Sequence, residues 1–226
     1  ITALNYTQGI VARGQGLIEL SDVNLEVSNQ ILDAVGQISI DASHSNWSTE
    51  SEGAIFGNVE SNLSSITITG SSTSTSGLDF LSGSHYLSSV DLSRPYLSSD
   101  RASVGIHAIW ADVEIENVSA SGWYQGVKIK QDATISANEL DVDGGGRDGG
   151  ASIYVDGGSL QVSSLITADS DHGIEIVNGS SLWDNGPHVH IDSWSASNHR
   201  DFTLEMMDGS IATIRNLPSF ATAAQS

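Results

Sequence analysis

An all-β solenoid, wound from three short strands per coil, is the fold class that this sequence predicts, on three observations. A short phrase returns four times as Gly105-Ile106-His107-Ala108, Gly126-Val127-Lys128-Ile129, Ser152-Ile153-Tyr154-Val155 and Gly173-Ile174-Glu175-Ile176. Each phrase is a small residue, then apolar, outward, apolar. Between returns lie a second alternating run (Val113-Glu114-Ile115, Leu160-Gln161-Val162) and often a third (Leu140-Asp141-Val142, Leu165-Ile166-Thr167). The interval of roughly 21 to 28 residues is that of one coil in a stacked repeat.

Taken in order, the first coil reads Gln8 to Ala12, Leu17 to Leu20 and Val23 to Val27. The second reopens at Gln30-Ile31-Leu32-Asp33-Ala34 and continues through Gln37 to Ile40; the third runs from Gly53 through Ala54-Ile55-Phe56 to Ile66-Thr67-Ile68. A fourth starts at Gly77-Leu78-Asp79-Phe80, the four phrases above follow, and Phe202 to Met206 with Ile211-Ala212-Thr213 makes a last one. About nine coils at a strand spacing of ~4.8 Å predict a rod on the order of 40 Å long. Residues 1–226 are therefore expected to form a single domain. Exposed terminal edges of a solenoid need cover, and only Pro218 to Ser226 offers it here. The chain is expected to be a processed or excised piece of a longer secreted or surface protein.

The coil pattern resembles the right-handed, single-stranded parallel β-helix superfamily of pectate lyases, other carbohydrate-active enzymes, surface proteins and phage tailspikes. The likeness covers nearly the whole chain and lies in periodicity, with no catalytic motif of the family present. It implies right-handed coiling, and a polysaccharide cleft on the first-strand sheet and its neighbouring loops. Departures from the minimal coil gather at Arg94-Pro95-Tyr96 with Ser98 to Ser103, at Gly144 to Gly150, and at Asp184 to Pro187. Solenoid insertions tend to collect on one face.

Composition narrows the partners. With 28 acidic against 8 basic residues the formal charge is −20. Such a field repels nucleic acid and anionic membranes and attracts cations. Aspartate-rich, lysine-poor surfaces resemble those of proteins from salty environments, though Asp and Ser also fill solenoid turns. No cysteine is present, so neither disulfides nor thiolate metal sites arise. No apolar run reaches the roughly 18 residues of a membrane span. Sequons at Asn5, Asn46, Asn62, Asn117 and Asn178 are compatible with export.

Alternation turns the third phrase residue outward, so stacking sets His107, Lys128, Tyr154 and Glu175 in one ladder, with Lys130 and Asp156 beside it. A β-elimination would use Lys128 or His107 as base and Tyr154 as proton donor; a glycosidase would pair Asp156 with Glu175. The plainer reading makes them cross-strand charge pairs. Trp110 and Trp123, near this sheet, could stack on a sugar ring, with Lys130 and Arg147 beside them. Tryptophan also fills cores.

The Asp141-Val142-Asp143 to Asp148 stretch resembles acidic, glycine-broken calcium loops. It lacks the closing Glu, and Asp141 could belong to a strand. His188, His190 and Asp192 share one strand face and could hold zinc or copper. No cofactor is required, with Ca²⁺ the candidate addition. The leading expectation is an extracellular, non-catalytic module that is structural, adhesive or glycan-binding. The alternatives are a polysaccharide lyase or glycosidase, and a tailspike-like subunit self-associating laterally or end to end.

Overall fold

The computed structural model describes residues 2–96, 101–143, 149–177, 187–207 and 209–216. These residues form strands and turns with no helix, and all strand pairs are parallel. The chain winds as a β-solenoid of about eight turns, its strands lying on nine successive rungs. Its first coils are β1 (Thr2–Ser21), β2 (Asn24–Thr49), β3 (Glu52–Gly70) and β4 (Ser76–Ser93). Later coils each hold two strands: β5 (Val104–Ile109) and β6 (Ala111–Ser121), β7 (Gln125–Lys130) and β8 (Thr134–Asp143), β9 (Ala151–Asp156) and β10 (Ser159–Ala168). The last two pairs are β11 (His172–Val177) with β12 (His188–Ser197), and β13 (Phe202–Met206) with β14 (Ile211–Asn216).

Two stacks diverge from β4. Its opening residues pair with β5 and lead through β7, β9 and β11 to β13; its remainder pairs with β6 and leads through β8, β10 and β12 to β14. The three short strands expected in every coil are thus fused into one strand in β1 to β4 and into two from β5 onward. The reason lies in the corners. His44, Ser65 and Ser89 turn the chain with a single left-handed residue each (φ 49°, 54° and 55°), so pairing to the next rung resumes at once. Further on, two successive exposed residues do the same between the second and third runs, as at Asn138-Glu139 and Ser163-Ser164. Only the corner after the first run, at Trp110 (φ 48°) and Gln131 (φ 48°), interrupts the strand.

Alternation fills the interior. Leu32, Ala54, Leu78, Ile106, Val127, Ile153 and Ile174 form one continuous inward column, each at most 1% exposed. Each large member stabilises the fold by roughly 1.5–3 kcal/mol. One inward column is broken by polar groups: Ile40, Ser61, His85 and Val113 stack in register. Ser61 Oγ meets His85 Nδ1 at 2.9 Å, and Phe80 lies 4.2 Å from the imidazole, centroid to centroid. Burial holds the His85 pKa down at about 4, so the ring is neutral near pH 7.

The small residue that opens each phrase has a steric cause. A Cβ on Gly105 would sit 2.6 Å from the Gly126 carbonyl oxygen and 3.1 Å from Trp123 Cδ1. Trp123 is buried against this glycine column and donates Nε1–H to the Leu92 carbonyl at 3.2 Å. No helix among the described residues is long and apolar enough to cross a membrane.

Candidate functional site

The ladder expected on the first-strand sheet forms in the expected register. His107 pairs with Lys128, Lys128 with Tyr154, Tyr154 with Glu175, and Lys130 with Asp156 one position along. The ladder also extends at both ends, to Asp79 before His107 and Glu205 after Glu175.

Its charges are largely spent on one another. His107 Nδ1 faces Asp79 Oδ1 at 3.2 Å, and Lys130 Nζ faces Asp156 Oδ2 at 3.7 Å. The Lys128 ammonium lies 5.4 Å from the Tyr154 ring centroid, a cation–π distance. Burial first, then the Lys130 charge, lowers the Lys128 pKa, while Asp156 and Glu175 oppose the shift. Burial and the same two carboxylates raise the Tyr154 phenol. A proton could leave Lys128 more readily than an ordinary lysine, and Tyr154 holds its own more firmly.

The remaining candidates separate. Trp110 stands 62% exposed at its corner, whereas Trp123 is 1% exposed and offers no face to a sugar. Its glycine-column packing was not legible from spacing. Arg147 and Asp148 lie outside the described residues, as do Gly144 to Gly146, Trp183 and Asp184 to Gly186. Asp141 and Asp143 belong to β8, Asp141 in register between Ser119 and Ile166. On β12, His190 Nε2 meets Asp192 Oδ1 at 3.2 Å, and Arg215 also donates to that oxygen at 3.0 Å. His188 does not join them. The contact between His190 and Asp192 is shared with Arg215, which neutralises the Asp192 carboxylate. Among the described residues the group of three His, Asp or Glu donors lying within 4.8 Å of one another is instead His172, Glu175 and Glu205. The spacing His172-x-x-Glu175, with Glu205 one rung on, was the overlooked signal.

A second surface carries no motif in the sequence. On the face made by the second runs, an open groove of about 960 Å³ crosses the rungs from β1 to β10. Six strand spacings of ~4.8 Å make it roughly 29 Å long. Two outward ladders floor it. One passes from Ser39 to Glu60, with Ser84 on the next rung paired to Asp112, and then to Thr134; the other passes through Asp41, Asn62, Tyr86, Glu114, Ser136 and Gln161. Four carboxylates line it, and no lysine or arginine does. Tyr86, 37% exposed, donates its hydroxyl to Glu116 Oε2 at 3.0 Å, and Ser88 donates to the same oxygen at 2.6 Å. Those two bonds lower the Glu116 pKa, the Ser88 bond most, and the Glu116 bond raises that of Tyr86. The ring is thereby held as a fixed platform at the groove. His85 lines the groove from below.

No family model, curated protein or solved structure matches the chain.

Proposed function

We propose that this chain is a non-catalytic, extracellular β-solenoid module that binds a neutral glycan along the second-run groove. The observation that carries the reading is the groove itself. It is long, open and floored by carboxylates, amides and hydroxyls in register, with Tyr86 fixed beside them. Carboxylates accept charge-assisted hydrogen bonds from sugar hydroxyls, and a phenol ring stacks on the apolar face of a pyranose. The same carboxylates, on a chain of formal charge −20, disfavour polyuronates and sulfated chains. Export is supported by the exposed sequon asparagines Asn46, Asn62 and Asn117. The glycan reading is tested by affinity electrophoresis through gels containing dextran, amylose, hydroxyethylcellulose or polygalacturonate. Retardation by at least one neutral polymer, lost in Tyr86→Ala, is expected; retardation by polygalacturonate alone would overturn the reading.

A second reading rests on Lys128, whose depressed pKa and contact with Tyr154 suit a general base. On that reading the chain is a polysaccharide lyase, and Lys128→Ala abolishes turnover of a polyuronate measured by unsaturated-product absorbance. No turnover by the parent chain would remove it.

A further inference from the structure

Outside the groove, three potential metal ligands converge where the last two rungs of the first-strand sheet meet. His172 and Glu175 project from β11 and Glu205 from β13. Glu175 and Glu205 are directly paired across adjacent parallel strands, an arrangement in which like charges repel. His172 Nδ1 lies 3.3 Å from Glu175 Oε2 and 3.6 Å from Glu205 Oε2. A proton on Nδ1 can be given to one of the two carboxylates at a time, as in the 3.3 Å contact with Glu175, whereas a cation set between the three groups would answer both.

The distances favour a cation of a particular kind. Ligands bound tetrahedrally at about 2.0–2.2 Å stand about 3.3–3.6 Å apart along the tetrahedron's edges, which matches both separations. The opposite ring nitrogen, Nε2, faces Asp201 Oδ2 at 4.0 Å. With a cation held at Nδ1 the ring proton sits on Nε2, and Asp201 is the carboxylate nearest to receive it, the outer arrangement that metal-bound histidines use. Phe202 packs edge-on against the imidazole with centroids 5.4 Å apart, fixing the ring plane. His172 and Glu175 side chains are only 14% and 16% exposed, so the charges are partly withdrawn from water and the pull on a counter-ion is correspondingly stronger.

We infer that His172, Glu175 and Glu205 form a binding site for a divalent metal ion of the zinc class, with Asp201 orienting the imidazole. One nitrogen and two carboxylate oxygens suit Zn²⁺ and its first-row neighbours; an all-oxygen set would suit Ca²⁺ or Mg²⁺. Three protein ligands leave a fourth position for water. Zinc here occupies Glu175, so a glycosidase pairing of Glu175 with Asp156 and this site exclude one another. The metal site is independent of the glycan groove.

The test is calorimetric titration of the whole chain, stripped with chelator and dialysed, with Zn²⁺ and separately with Ca²⁺. One Zn²⁺ per chain is expected at this site, with no Ca²⁺ competing for it. His172→Ala and Glu205→Gln should each weaken binding by more than roughly a hundredfold, and Asp201→Asn by roughly tenfold. Glu205→Gln is isosteric and lies at a partly exposed position, so it reports on ligation with the coil intact, as circular dichroism would verify. The double variant His188→Ala/His190→Ala should bind as the parent does. Absence of Zn²⁺ uptake, uptake that survives both His172→Ala and Glu205→Gln, or uptake lost only with His188 and His190 would overturn the inference.

Discussion

On the first-strand sheet Asp79 faces His107 at 3.2 Å and Lys130 faces Asp156 at 3.7 Å. On the adjoining face Asp41, Glu60, Asp112 and Glu114 line a groove that holds no lysine or arginine. Both faces are outward ladders that overlap on the coils from β4 to β10, backed by the same apolar interior. What differs is whether the charges find partners within the sheet. Paired charges contribute a few tenths of a kcal/mol each and have little left for a ligand. Carboxylates without a cationic partner, of which Asp41 accepts only the Asn62 amide at 3.3 Å among the described residues, stay hydrated in the free chain and can exchange that water for sugar hydroxyls at modest cost. From Asp79 to Asp156 the first-strand sheet is therefore less available to a glycan; its last rungs, where Glu175 faces Glu205, are the exception.

Each face is also backed by one unusual interior group, and perturbing these separates the two most strongly. Behind the first-strand sheet, Trp123→Ala removes a fully buried ring packed on the Gly105 column. The expected loss is about 3–5 kcal/mol, read by urea unfolding, with glycan affinity of the folded fraction unchanged. An affinity loss without a stability loss would mean that Trp123 serves a ligand and not the core.

Behind the groove, His85 carries a pH dependence. Its pKa is about 4 in the folded chain against 6.5 for an unperturbed histidine. As pH falls through 6.5 the unfolded chain takes up a proton that the folded chain refuses, so stability is full above that value and drains away down to pH 4. The size is about 3 kcal/mol. The difference in unfolding free energy between the parent and His85→Leu, measured at pH 7 and at pH 4, should shift in favour of the variant by about that amount. A difference independent of pH would contradict a buried neutral imidazole.

The smallest effect belongs to the ladder itself. Removing the Lys130–Asp156 pair, as a double-mutant cycle with Lys130→Met and Asp156→Asn, should yield a coupling of only a few tenths of a kcal/mol. A coupling above roughly 2 kcal/mol would mark the pair as a tuned site.

The coil plan was open to reading because apolar alternation, the return of a small residue and the run spacing all point the same way. Register followed from it, which is why His107, Lys128, Tyr154 and Glu175 align as the phrase implied. Three things did not follow. Trp123 turns inward over Gly105 because the chain before β7 bends there, and no periodicity encodes that bend. The groove is assembled from short stretches of β1, β2, β3, β4, β6, β8 and β10 and exists only once those rungs are stacked. The residues around Tyr86 alternate as the rule requires, with His85 inward and Tyr86 outward, but ladders of short polar side chains look like ordinary solvated surface. His172 and Glu205 are 33 residues apart and become neighbours only through the pairing of β11 with β13.

The glycan-binding face is the groove and not the ladder. Backbone amide chemical shifts of isotopically labelled chain, recorded during titration with the neutral polymer fragment that retards it most, test this directly. The account predicts shifts centred on Asn62, Tyr86, Glu114 and Gln161, with the sugar recovered intact. Shifts centred on Lys128, Tyr154 and Glu175, accompanied by cleavage of the sugar, would contradict it.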